Sequence, residues 1–177
     1  MSENILAVRP GKTIYREGNT LVKVFDESYA KPDILNEALN QARVERTALH
    51  IPRIEAVTSI EGKWAIVMEY IEGETLAALM KKNPSKEEEY LGELQTEISA
   101  QRVPLLPRLK DKMYEKISAS EYSDTVKYDL QTRLDGLPKH YKLCHGDFRP
   151  SNVIVRGDGT FYIVDWAHAT QGNAAAD

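Results

Sequence analysis

Apolar and polar residues alternate in short runs over residues 5–68 and recur every three or four positions over much of 75–134, so a sheet-rich first part precedes a helical one. Runs 5–8, 12–16 and 20–25 are parted by Pro10-Gly11 and by Glu17-Gly18-Asn19, the turn residues of an antiparallel meander. Runs 54–59 and 64–68 flank a turn at Glu61-Gly62-Lys63. Between them, Pro32 suits the first turn of a helix running to about residue 49, with Ile34, Leu35, Ala38, Leu39 and Ala42 as its apolar stripe. Thr75 can cap a helix carrying Leu76, Leu79 and Met80. Asn83-Pro84-Ser85 breaks it, and Ser85 with Glu88 forms a capping box for the next helix, whose first turn Glu87-Glu88-Glu89 suits the dipole. Helical patterns at 105–117 and 122–134 follow, before Leu137-Pro138 leads into strands 153–155 and 161–164 around Gly157-Asp158-Gly159-Thr160.

Length and composition narrow the class. At 177 residues the chain is one domain, or two small lobes sharing a cleft, and a 42% apolar share with 28% charged residues is that of a globular protein. A net charge of −4, from 27 acidic and 23 basic residues, leaves no electrostatic footprint for nucleic acid. No run approaches the length of a membrane span, and Met1-Ser2-Glu3-Asn4 does not open a signal peptide. The one cysteine, Cys144, cannot form an internal disulfide and reads as a small buried filler; together these features lead to the expectation of a cytoplasmic protein without membrane or nucleic-acid partners.

Chemistry concentrates near the end, in Leu143-Cys144-His145-Gly146-Asp147-Phe148-Arg149-Pro150-Ser151-Asn152 followed by Val164-Asp165-Trp166. Asp147 lies in a loop, and the step to Asn152 returns a side-chain carbonyl to the same space. The second strand of the hairpin then delivers Asp165 beside Asn152. One amide oxygen and one carboxylate, completed by substrate phosphates, form a hard oxygen site that suits Mg²⁺. Asp147 remains free to orient a nucleophile, and His145 reads as a loop support rather than a reactant. Gly11-Lys12-Thr13 looks like the end of a P-loop, but that motif needs a glycine where the chain has Leu6.

The pattern His-x-Asp-x-x-x-x-Asn followed by a strand-borne Asp resembles the catalytic loop and metal-binding aspartate of the protein-kinase-like fold, and this form of it is similar to the aminoglycoside phosphotransferase and choline kinase branch. Gly172-Asn173-Ala174-Ala175-Ala176-Asp177 resembles that branch's Gly-Asp-Pro-x-x-Asp run. The resemblance implies an α+β, protein-kinase-like fold: a nucleotide-binding lobe with a small antiparallel sheet, one helix and the hinge in 1–71, and a mostly helical lobe carrying the catalytic hairpin in 72–177. It implies that Lys23, on a strand face with Leu21 and Phe25, holds the α and β phosphates of ATP, and that Leu21 touches the adenine. Glu37, with Glu45 in reserve, would pair with Lys23. Val67-Met68-Glu69-Tyr70-Ile71-Glu72-Gly73 resembles the hinge, with Met68 beside the base and the backbones of Glu69 and Ile71 on its edge. Asn152 and Asp165 would hold Mg²⁺, and Asp147 would aim the acceptor hydroxyl. Arg149 departs from the histidine common in the branch and would neutralise charge on the transferred group, or else pair with a surface acid.

The implied activity is transfer of the γ-phosphoryl group of ATP, with GTP as an alternative donor, to a hydroxyl of a small molecule. Relatives in the branch continue with further helices, whereas this chain stops twelve residues after Asp165. The expectation is therefore an incomplete larger lobe with an exposed apolar face that favours self-association. A nucleotide-binding module or regulatory pseudokinase without turnover is the alternative, and a purely structural partner protein is a third.

Overall fold

The computed structural model describes residues 4–82 and 87–177. Strands β1 (Asn4–Arg9), β2 (Lys12–Glu17), β3 (Thr20–Phe25), β4 (Ile54–Ile60) and β5 (Lys63–Glu69) form one antiparallel sheet in the order β1-β2-β3-β5-β4. Strict alternation gives this sheet two different faces. Tyr15, Val22 and Ala65 make a small cluster on one side, and Phe25, Ile66 and Met68 pack on the other against Ile34 and Ala38 of helix α1 (Lys31–Val44).

α1 departs from the expected stripe in two ways. It stops at Val44, because the Val44 carbonyl accepts from both the amide and the hydroxyl of Thr47, at 2.9 and 2.7 Å. Its buried face is also rotated: Leu35 and Leu39 are exposed, while Glu37, Asn40 and Gln41 are buried beside Ile34 and Ala38. Buried polar groups need partners, and these find them for all but the Asn40 Oδ1, which has none among the described residues. Gln41 Nε2 donates to the Pro52 carbonyl at 2.7 Å, Asn40 Nδ2 donates to the Ala167 carbonyl at 3.1 Å, and Glu37 pairs with Lys23. An apolar count cannot find a face whose function is to reach polar neighbours.

The rest of the chain is mostly helical. β6 (Glu74–Thr75) leads into α2 (Leu76–Lys82), where the Thr75 hydroxyl accepts from the Ala78 amide at 3.2 Å as a cap. The break at Asn83-Pro84-Ser85 and the Ser85 half of the expected capping box lie outside the described residues. α3 (Glu87–Ala100) precedes α4 (Leu109–Ala119) and α5 (Asp124–Gly136). α4 starts later than the pattern at 105–117 suggested, since Pro107 disfavours a helical conformation at Leu106 and Arg108 is still extended. β7 (Lys142–Cys144) pairs with β10 (Thr170–Gly172), and β8 (Val153–Val155) forms a hairpin with β9 (Phe161–Ile163) whose outer neighbour is β6. The larger core gathers Leu76, Leu94, Ile98, Leu143, Ile163 and Trp166, and Val44 from the end of α1 and Ile51 from the segment before β4 enter it. Met113, Tyr114, Tyr122, Val126 and Tyr128 stay exposed on α4, α5 and the turn joining them.

The loop between β7 and β8 is anchored at His145, which is fully buried with its ring 4.4 Å from that of Trp166. Its Nε2 faces the Val164 carbonyl at 3.0 Å and its Nδ1 faces the Asp147 amide at 3.3 Å, so a neutral ring donating from Nε2 and accepting at Nδ1 satisfies both. Burial holds its pKa below the usual 6.5, despite the carbonyl and the carboxylates nearby. The unfolded chain therefore takes up a proton near pH 6.5 that the folded chain refuses, and stability falls as pH drops through that value. In urea titrations between about pH 7.5 and 5.5, stability should fall as the pH drops, by at most about 1.4 kcal/mol per pH unit from this one group. His145→Asn should flatten this slope; an unaltered slope in the variant would contradict the assignment.

Candidate active site

Lys23 is the centre of the constellation. β3 aims it at the face that α1 covers, where its side chain is only 9% exposed. A lone ammonium there would be unaffordable, but Glu37 Oε1 lies at 2.8 Å and Asp165 Oδ1 at 3.4 Å. Burial pulls the Lys23 pKa down, yet these two carboxylates more than offset it, so the group is charged across the neutral range. Glu45, the other candidate partner, accepts instead from the Ile54 amide at 2.8 Å. Asp165 sits in the left-handed region (φ 68°) at the end of β9, which turns its carboxylate back toward Lys23. Burial opposes ionisation of Asp165 as well, but Lys23 first and Lys12 second outweigh it and hold its pKa below the ordinary carboxylate value.

The loop brings Asp147 and Asn152 together. Asn152 Nδ2 donates to the Asp147 carbonyl at 2.9 Å and to Asp147 Oδ2 at 3.0 Å. With its nitrogen committed, the Asn152 amide keeps its carbonyl oxygen as the atom left to accept from or ligate a partner in the cleft that it lines with Asp165. Arg149 Nη2 lies 3.1 Å from Asp147 Oδ2 with its side chain 57% exposed, so its partner is the loop carboxylate and not a remote surface acid. Gly146 has φ 83°, and a Cβ there would stand 2.6 Å from the His168 carbonyl oxygen, so only glycine fits. The amides of His145 and Gly146 both donate to the Asp177 carboxylate, at 2.7 and 2.6 Å. Asp177, Asn40 and Gln41 were assigned no role from the sequence; only the run ending in Asp177 carried any signal.

Of these groups, Lys23, Asp165, Asn152 and Arg149 line one cleft of about 300 Å³. Leu21 and Met68, directly paired across β3 and β5, line one end, and Lys23, Asn152, Asp165 and Arg149 line the other. Glu69 and Ile71 border it where β5 leaves the sheet. The Glu69 amide is already bonded to the Arg53 carbonyl at 2.8 Å, whereas the Ile71 amide makes no hydrogen bond to a described residue. Among the described residues no group of three or more His, Cys, Asp or Glu could hold a metal. The donors present, one ionised carboxylate and one amide oxygen, fit a hard divalent cation whose remaining ligands are phosphates and water. Cys144 lies behind the loop, where burial raises its thiol to about 11 and excludes a nucleophilic role at neutral pH.

Comparisons with known proteins identify the family and the fold. The chain matches the phosphotransferase enzyme family, APH, over residues 12–177. No curated protein sequence matches it. Its structure is similar to that of aminoglycoside phosphotransferase APH(4)-Ia, at a TM-score of 0.71 and 17% identity, covering 98% of this chain and 68% of that one. It is also similar to APH(2")-IIa in a streptomycin–ATP ternary complex (0.62, 18%, covering 100% and 69%) and to a choline/ethanolamine kinase family protein from Mesorhizobium loti (0.60, 15%, covering 98% and 60%). At such identities the likeness is one of fold, and it is the kinase-like α+β fold. With the family match spanning nearly the whole sequence, the chain belongs to the phosphotransferase enzyme family.

Proposed function

We propose that this chain transfers the terminal phosphoryl group of ATP, or of GTP, to a hydroxyl of a small molecule. The observation that carries the reading is the placement of Lys23 between Glu37 and Asp165, at 2.8 and 3.4 Å, on the wall of a cleft that Asn152 and Arg149 also line, with Asp147 bonded to both of those. A triphosphate laid in that cleft has its base against Leu21 and Met68, with the Glu69 carbonyl and the Ile71 amide on the base's edge. Lys23, kept in place by Glu37, meets the α and β phosphates. Asn152 and Asp165 hold Mg²⁺, which when bound draws charge off the phosphates. Asp147 accepts a hydrogen bond from the acceptor hydroxyl and aims its oxygen; the loose transition state lets that proton leave late. Arg149, exposed and beside Asp147, is the loop's own cation for charge on the transferred group.

Solved structures of APH(4)-Ia hold AMP-PNP or ADP with hygromycin B, and those of APH(2")-IIa hold streptomycin or gentamicin. Aminoglycosides, and amino alcohols of the choline type, are accordingly the first acceptors to test. A silent nucleotide-binding module is the second reading, favoured by one observation: the Asp147 carboxylate is already ion-paired with Arg149, at 3.1 Å.

Two substitutions separate these readings. Asp147→Asn should lower ATP turnover on the order of 10²-fold to 10⁴-fold while leaving MgATP affinity within about threefold. Undiminished turnover in a chain that does turn over would end the aiming role, and absence of turnover in the unmodified chain with every acceptor class would favour the silent module. Asp165→Ala should abolish the part of the ADP-induced thermal shift that depends on Mg²⁺; a shift with the same metal dependence as the unmodified chain would remove Asp165 from the cation site.

A further inference from the structure

The Gly11-Lys12-Thr13 stretch is no P-loop, yet its lysine faces the same cleft as Lys23. Lys12 opens β2 directly opposite Phe25, and Ile14 in the same strand lies opposite Lys23, so Lys12 and Lys23 project from one face of the sheet. Lys12 lines the cleft with Asp165 and Asn152, is half-buried with its Nζ 6.0 Å from the centre of the Phe25 ring, and forms no ion pair among the described residues. Its backbone is held firmly. The Gly11 carbonyl accepts from the Asp26 amide at 2.9 Å, and Gly11 (φ 77°) sits so close to the Tyr29 ring that a Cβ would stand 2.6 Å from it.

Charge shows why a second lysine matters. Around Lys23 one ammonium faces two carboxylates, and Arg149 is matched by Asp147, so neither supplies net positive charge to a polyanion. Lys12 makes no ion pair among the described residues, although its charge reaches Asp165, and neither does Arg9, which pairs with it across the β1–β2 turn and also lines the cleft. Position follows from the strand repeat. The Phe25 row, where Lys12 stands, is about 7 Å beyond Lys23 and about 13 Å beyond Leu21. A nucleotide with its base at Leu21 and Met68 reaches that row with its outermost phosphates.

We propose that Lys12 is a second phosphate-binding residue, which grips the terminal phosphates of the nucleotide from the sheet side and sets the preference for a triphosphate over shorter nucleotides. This rests on the nucleotide-binding reading of the cleft. Calorimetric titration of the full chain with AMP, ADP and AMP-PNP in the presence of Mg²⁺ tests it, using the unmodified chain, Lys12→Gln and Lys12→Arg. Lys12→Gln should leave AMP affinity unchanged and weaken AMP-PNP about tenfold, with Lys12→Arg restoring most of the loss. Equal weakening of AMP and AMP-PNP would mean that Lys12 merely supports the sheet, and unchanged AMP-PNP affinity would mean that it does not touch phosphate; either overturns the proposal while leaving the cleft a nucleotide site. An unmodified chain that binds none of the three nucleotides would overturn both readings together.

Discussion

The site depends on a charge held almost out of water. Lys23 could not sit under α1 without a counter-ion, and its two carboxylates come from segments far apart in the chain, Glu37 in α1 and Asp165 after β9. A buried ion pair of this kind adds little net stability, because desolvation consumes most of the Coulomb gain. What it does fix is relative position. Satisfying one ammonium requires the sheet, the helix and the catalytic hairpin to meet at one point, and the cleft is the space left around that point. Leaving the pair half-made would cost several kcal/mol, which is the force that keeps the three elements in register.

A second set of constraints shapes the loop. His145 is locked between Trp166 and the Val164 carbonyl, Gly146 takes a backbone angle and a closeness to His168 that no side chain permits, and Asp177 accepts from two successive amides. His145, Gly146 and Asp177 themselves do not line the cleft. Their effect is to leave Asp147 and Asn152 little choice of direction, so that the two side chains the proposal relies on are held in place before any ligand arrives. Asp147 is meanwhile held by an arginine two residues on, which gives its charge a partner while the cleft is open to solvent.

How much of this was legible in the sequence follows the range of the forces involved. The hairpin that places Asn152 and Asp165 could be read because two short apolar runs flank a glycine- and aspartate-rich turn, which specifies it locally. The five strands of the first sheet were legible for the same reason. Lys23 was not identifiable by itself; an apolar strand bearing a lysine has many explanations, and only the loop 124 residues away makes one of them specific. The orientation of α1 was misread because its inward face carries Glu37, Asn40 and Gln41, whose partners are set by tertiary contact and not by hydropathy. The two- and three-residue strands β6, β7 and β10 leave no periodic trace at all, since a repeat of two needs more residues than they have.

The dependence of the cleft on the buried pair can be tested without knowing the acceptor. Glu37→Gln keeps the size of the side chain and leaves Asp165 as counter-ion to Lys23, so the chain should still fold. Calorimetric affinity for AMP-PNP with Mg²⁺ is the measurement. The account predicts binding by the unmodified chain and at least about tenfold weaker binding by Glu37→Gln, as Lys23 loses the carboxylate that holds it over the phosphates. Equal affinity in a folded Glu37→Gln variant would contradict it.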